Sequence, residues 1–149
     1  MKGTSLILII DDDPVFGKTF KRHIENGGFK EVIQMESVAE SIYHVEVVPD
    51  VLFVDYNLED ITGVDAIKIY RKKWPFALII LISGSESLLR YRPYHLTKYK
   101  IDGVVLKSQG YKAMLQYAIK RSRYKLMKKI AFYFLLPITF LGLLIWLYL

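Results

Sequence analysis

Five short apolar runs, set apart by amphipathic stretches, constrain the fold of this chain more than any other feature. They are LILII (Leu6–Ile10), EVIQM (Glu31–Met35), VLFV (Val51–Val54), ALIILI (Ala77–Ile82) and GVVL (Gly103–Leu106). Each is four to six residues long and rich in β-branched or aliphatic types, as strands buried on both faces of a parallel sheet are. Helix signals fill the gaps. Pro14 to Asn26 has Asp13 as N-cap, Pro14 at the first helical position and Gly27–Gly28 as a stop. Ser37 to Glu46 opens on a capping box, with Glu40 three residues after Ser37. Gly63 to Trp74 carries Val64, Ile67 and Tyr70 or Arg71 at helical spacing, with Pro75 just beyond. Gln109 to Arg123 places Met114, Leu115, Ala118 and Ile119 on one face. The stretch Ser85 to Lys100 is less regular, because Pro93 falls inside it. Strands alternating with helices predict an α/β fold, a doubly wound five-stranded parallel sheet covered on both faces.

Ligands of such sheets lie beyond the carboxyl ends of the strands, so the polar residues that end each run become candidates. Asp11, Asp12 and Asp13 follow the first run, Asp55 the third, Ser83 the fourth and Lys107 the fifth. Carboxylates held together repel, by about 4 kcal/mol for a pair roughly 4 Å apart at an effective dielectric near ~20. They stay ionised when a cation compensates. A hard divalent ion with oxygen ligands suits the set, and Mg²⁺ takes one or two carboxylates plus water and phosphate oxygens. With the Lys107 ammonium and the Ser83 hydroxyl, the assembly fits in-line phosphoryl transfer to a carboxylate. Asp13 reads as a helix cap. His23, His44 and His95 stand apart and read as surface or partner-facing residues.

The segments LILIIDDDP, PDVLFVDYNLEDITGVD, LIILISG and DGVVLKS, in that order, give the chain a resemblance to the response-regulator receiver domain of bacterial two-component signalling over residues 4–122. The resemblance implies a flavodoxin-like sheet of order 2-1-3-4-5. It implies Asp55 as phosphoacceptor and Asp12 as direct metal ligand. Asp11 would be its partner through water, and Asn57 would offer its backbone carbonyl to Mg²⁺. Ser83 would bond the phosphoryl group, Gly84 leave it accessible, and Lys107 take the place of the family's lysine. A histidine kinase or phosphotransfer protein is the implied donor, and an output protein of unknown identity the implied receiver of the signal. Such a switch is not itself expected to be an enzyme.

The sequence also departs from the pattern. Val104 stands where the family usually has an aromatic residue, three before the lysine. Ser108 replaces a proline, and Glu59 sits where proline is frequent. The pocket is intact while the output face is altered.

The formal net charge of +6 resembles a nucleic-acid signal, but its distribution points elsewhere. Seven basic residues and no acidic ones lie between Tyr111 and Lys129, and without them the rest of the chain is one charge negative. They precede IAFYFLLPITFLGLLIWLYL, residues 130–149, a run without a charge. As a helix it would be roughly 30 Å long, the thickness of a bilayer's hydrocarbon core. Aromatic residues lie near both its ends. The expected organisation is a receiver at 1–122, a basic juxtamembrane linker at 123–129 and a transmembrane helix at 130–149. The basic cluster would face the cytoplasm, as the positive-inside rule requires. A stand-alone receiver, single-pass in the bacterial inner membrane and without a nucleic-acid partner, is therefore expected. The absence of cysteine excludes a disulfide framework or a thiolate metal site.

Two other readings compete. A receiver-like adaptor would keep the fold without phosphorylation, and Val104 speaks for it. Asp11-x-Asp13-x-Val15 also fits the first motif of haloacid-dehalogenase-like phosphatases. That family needs a further acidic motif after the lysine, and no Asp or Glu follows Asp102.

Overall fold

The computed structural model describes residues 5–85, 93–131 and 133. Its elements alternate along the chain: β1 (Leu6–Ile10), α1 (Pro14–Asn26), β2 (Glu31–Met35), α2 (Val38–His44), β3 (Val51–Asp55), α3 (Gly63–Lys73), β4 (Leu78–Ser83), α4 (Pro93–Lys98), β5 (Gly103–Leu106) and α5 (Tyr111–Ile130). The strands form one parallel sheet of order β2-β1-β3-β4-β5.

Side-chain alternation explains the two-sided cover. Leu6, Leu8 and Ile10 pack with Leu52, Val54, Ile79 and Leu81 on one face, against α2 and α3 residues such as Val38, Ile67 and Tyr70. Ile7 and Ile9 point the other way and join Phe53, Ile80 and Ile82 against Phe20 and Ile24 of α1 and Met114, Leu115 and Ala118 of α5. β1, β3 and β4 are buried throughout, which is why their sequences lack polar alternation.

The helix caps follow local chemistry. Asp13 accepts from the N–H groups of Val15 and Phe16, at 2.9 and 3.1 Å, which employs its side chain in starting α1. Ser37 Oγ accepts from Glu40 N at 3.1 Å, but Glu40 reaches back to the N–H of Glu36 and not of Ser37. The capping box is thus displaced by one residue in its second arm. Pro93 is the first residue of α4, a position where its missing N–H is harmless.

α5 extends the furthest beyond its predicted span. It runs unbroken through the basic segment 123–129, which is helical. Among the described residues no helix is long and apolar enough to cross a membrane. The apolar segment 130–149, expected as a transmembrane helix, lies outside the described residues apart from Ile130, Ala131 and Tyr133.

Candidate functional site

Register brings the acidic residues together. Ile10 of β1 pairs with Val54 of β3, so Asp11 and Asp55, the residues after them, leave neighbouring strands at the same level. One ligand oxygen from each of Asp11, Asp12 and Asp55 lies within 4.8 Å of the others. Asp11 and Asp55 are buried, and Asp12 is partly exposed.

Lys107 follows β5, which is separated from β3 by β4. Its side chain reaches back to Asp11 Oδ2 at 2.7 Å and Asp55 Oδ1 at 2.9 Å. The ring of Phe16, in the first turn of α1, lies 4.3 Å from the Lys107 ammonium, a cation–π contact. Burial alone would lower the Lys107 pKa, but bonds and charge from Asp11 and Asp55 outweigh it and raise it. The ammonium therefore stays charged.

The remaining acceptors are also oriented. Asp13 N–H donates to Asp11 Oδ1 at 3.1 Å, and Asn57 N–H donates to Asp55 Oδ2 at 2.8 Å. Burial pushes the Asp11 carboxyl up to about 6, and the charge of Asp55 adds to this. The Lys107 ammonium and the Asp13 N–H act the other way. Asp11 Oδ2 is met by the Lys107 ammonium at 2.7 Å. Three clustered carboxylates facing one ammonium are short of positive charge. Their hard oxygen donors fit a Mg²⁺-sized cation.

Asn57 and Ser83 are placed differently from the acids. Asn57 forms an antiparallel bridge with Thr62 across the loop after β3, and the structure brings its N–H, not its carbonyl, to Asp55. Ser83 is buried at the end of β4, one residue beyond Ile82, the strand partner of Asp55. Its hydroxyl is engaged with Ser85, accepting from Ser85 N at 3.0 Å and donating to Ser85 O at 3.3 Å. Gly84 follows, and a Cβ built there would meet nothing within 4 Å. Of the histidines, His23 lies beside Tyr111 and His44 is exposed, while the side chain of His95 lies outside the described residues.

Two contributors were not anticipated. Phe16 is at i, with Phe20 and Ile24 at i+4 and i+8; that apolar stripe was its only signal. Gly63 packs directly on the end of β3. A Cβ there would fall on the Asp55 carbonyl oxygen and lie 2.8 Å from Tyr56 Cα. The hydrogen bond from Gly63 N to Tyr56 O, at 2.7 Å, holds this approach.

The response regulator receiver domain model matches residues 7–119. The chain belongs to the response-regulator receiver family. The nitrate/nitrite response regulator homolog of Haemophilus influenzae is 29% identical over 123 residues, which cover 81% of this chain and 58% of that protein. This receiver chain thus spans little more than half of that relative, and still less of the two others it matches, at 43% and 39%. A CheY-like receiver from Methanospirillum hungatei superposes with a TM-score of 0.73 at 20% identity, covering 85% of this chain and 99% of that one. The response regulator TrrA of Thermotoga maritima, in complex with Mg²⁺ and BeF, gives 0.67 at 23% identity, covering 79% and 99%. At these identities the likenesses establish the fold. Receiver domains are generally non-enzymatic signalling domains of two-component systems, interact with histidine kinases or phosphotransfer proteins, and typically bind Mg²⁺ through acidic residues.

Proposed function

We propose that this receiver is a membrane-anchored switch that accepts a phosphoryl group on Asp55 from a histidine kinase or phosphotransfer protein and signals by protein contact. The observation that carries the reading is Lys107 bridging Asp11 and Asp55 beside Asp12. Asp55 offers an oriented carboxylate, with Asn57 N–H on one oxygen and Lys107 on the other. Asp11, Asp12, Asp55 and the Asn57 carbonyl would hold Mg²⁺, which supplies charge neutralisation for a phosphoryl group arriving at Asp55. Lys107 is placed to exchange a carboxylate for a phosphoryl oxygen. Ser83 would turn its hydroxyl from Ser85 to the new oxyanion, and Gly84 leaves room for it. Anchoring is proposed through residues 130–149, with the receiver on the cytoplasmic side of a bacterial inner membrane.

The decisive experiment incubates the full chain with Mg²⁺ and acetyl phosphate. Label should appear as an acid-stable, base-labile phosphate, vanish in Asp55→Asn and disappear on chelation of Mg²⁺. A folded chain that takes no label would instead support a constitutive adaptor, the reading to which Val104 on β5 lends weight. Resistance of the chain to extraction from membranes by alkaline carbonate tests the anchor separately.

A further inference from the structure

The edge of the sheet opposite the acidic pocket collects features that phosphorylation does not use. α5 begins near the carboxyl ends of the strands and runs back along them. Its 20 residues make it about 30 Å long, against roughly 17 Å for a five-residue strand, so its last turns overshoot the amino edge. There Leu126, Lys129 and Tyr133 face Phe76 and Leu78 across a groove of about 540 Å³. Phe76, just before β4, is 86% exposed, and Leu126 is 59% exposed. An aromatic ring this open beside a second exposed apolar side chain is a patch, not a scattered residue.

The geometry of this edge is fixed. Lys125 Nζ donates to the carbonyls of Phe76 and Ala77 at 3.2 and 3.1 Å, and lies 3.4 Å from Asp102. Arg71, at the end of α3, binds the same Asp102 at 2.6 Å, and Arg121 Nε donates to the Asp102 carbonyl at 2.6 Å. The Phe76 loop is thereby clamped to the last turns of α5. Nearby acids are used inside the fold: Asp102 in this network, Asp50 in a 3.0 Å bond from Leu6 N. Lys100, Lys128 and Lys129 remain exposed around the patch.

We infer that this amino edge is a lipid-facing surface, with Phe76 and Leu126 seated in the interfacial layer of an anionic bilayer and the three lysines against its phosphates. The inference rests on the membrane reading above and adds an orientation to it. Aromatic side chains favour the interface, and each basic residue close to an anionic surface adds to the attraction. The occupant follows from charge and position. Ile130, on the last turn of α5, is also the first residue of the apolar run, so a bilayer holding that run lies level with Phe76. A second copy docked by the same face would bring lysine against lysine.

Because the chain has no cysteine, single labels can be placed at will. Full-length Phe76→Cys and, as a control at the opposite edge, Val15→Cys would carry a polarity-sensitive fluorophore. Each is reconstituted with vesicles of phosphatidylglycerol and phosphatidylcholine bearing a headgroup-level quencher. Quenching at Phe76 should exceed that at Val15 about threefold, and fall about twofold in pure phosphatidylcholine or in high salt. Equal quenching at the two positions overturns the inference while carbonate resistance leaves the anchor standing. Strong quenching at Phe76 in a chain that carbonate releases supports the surface and removes the anchor. Shielding at Phe76 that depends on protein concentration and ignores the lipid quencher assigns the face to a second copy and overturns it as well.

Discussion

Lys107 does at the scale of one residue what makes the pocket tenable: a single ammonium touches two buried carboxylates from strands it does not adjoin. Removing it leaves Asp11 and Asp55 facing each other. Full burial of an unpaired charge costs about 3–5 kcal/mol, but a side chain 21% exposed warrants less. Lys107→Met should therefore destabilise the metal-free chain by about 2 kcal/mol, with Mg²⁺ restoring part of it. Urea unfolding followed through Trp74, which is buried, gives the measurement; an unchanged midpoint would contradict the argument. Gly63 acts sterically, since a methyl group there collides with the Asp55 carbonyl. Gly63→Ala should cost about 2 kcal/mol by overpacking and slow the proposed acetyl-phosphate labelling of Asp55, because the Asp55 backbone must move. Labelling at the wild-type rate in a destabilised protein would separate the packing effect from the site.

Among the elements, α5 carries the most consequence. Its first half is held by burial of Met114, Leu115 and Ala118, while its second half is held mainly by polar bonds around Asp102. Lys125 feels both: burial lowers its pKa, and Asp102 opposes that while Arg71 reinforces it. Asp102→Ala would leave Arg71 and Lys125 without their shared carboxylate, while the main-chain carbonyl that Arg121 binds remains. Amide exchange across residues 120–130 should then speed up about tenfold, with residues 111–118 little changed, since apolar packing still secures them. Uniform acceleration along α5 would show that the helix opens as one unit.

For the whole molecule, the parallel sheet separates two edges by the length of its strands, about 17 Å. The acidic pocket lies at one, and the basic, apolar edge at the other. On the proposed reading, a phosphodonor would therefore reach Asp55 with the chain on a membrane. Labelling rates with acetyl phosphate should agree within about twofold between detergent and anionic vesicles, since the pocket lies beyond roughly one Debye length from the lipid surface. A strong lipid dependence would place the pocket nearer the bilayer than this geometry allows.

How much could be read in advance depended on whether the cause was local. The five runs predicted the strands to within a residue or two, because burial on both faces leaves a signature in each short segment. Asp11, Asp55 and Lys107 were legible for the same reason: each directly follows a run, and parallel strands send all such positions to one edge. Asp13 and Ser37 announced their caps through the N–H groups just ahead of them. What the chain alone left open were relations across distance. The reach of Lys107 over β4, the ring of Phe16 above it, the fit of Gly63 on Asp55 and the clamp at Asp102 all depend on register and approach between residues far apart in sequence. So does the meaning of the basic segment. Its charges read as a linker, yet 123–129 continue a helix that starts in the core and that Asp102 ties down. Composition determines which residues can bear charge or enter a bilayer; only packing decides which of them are brought to one place.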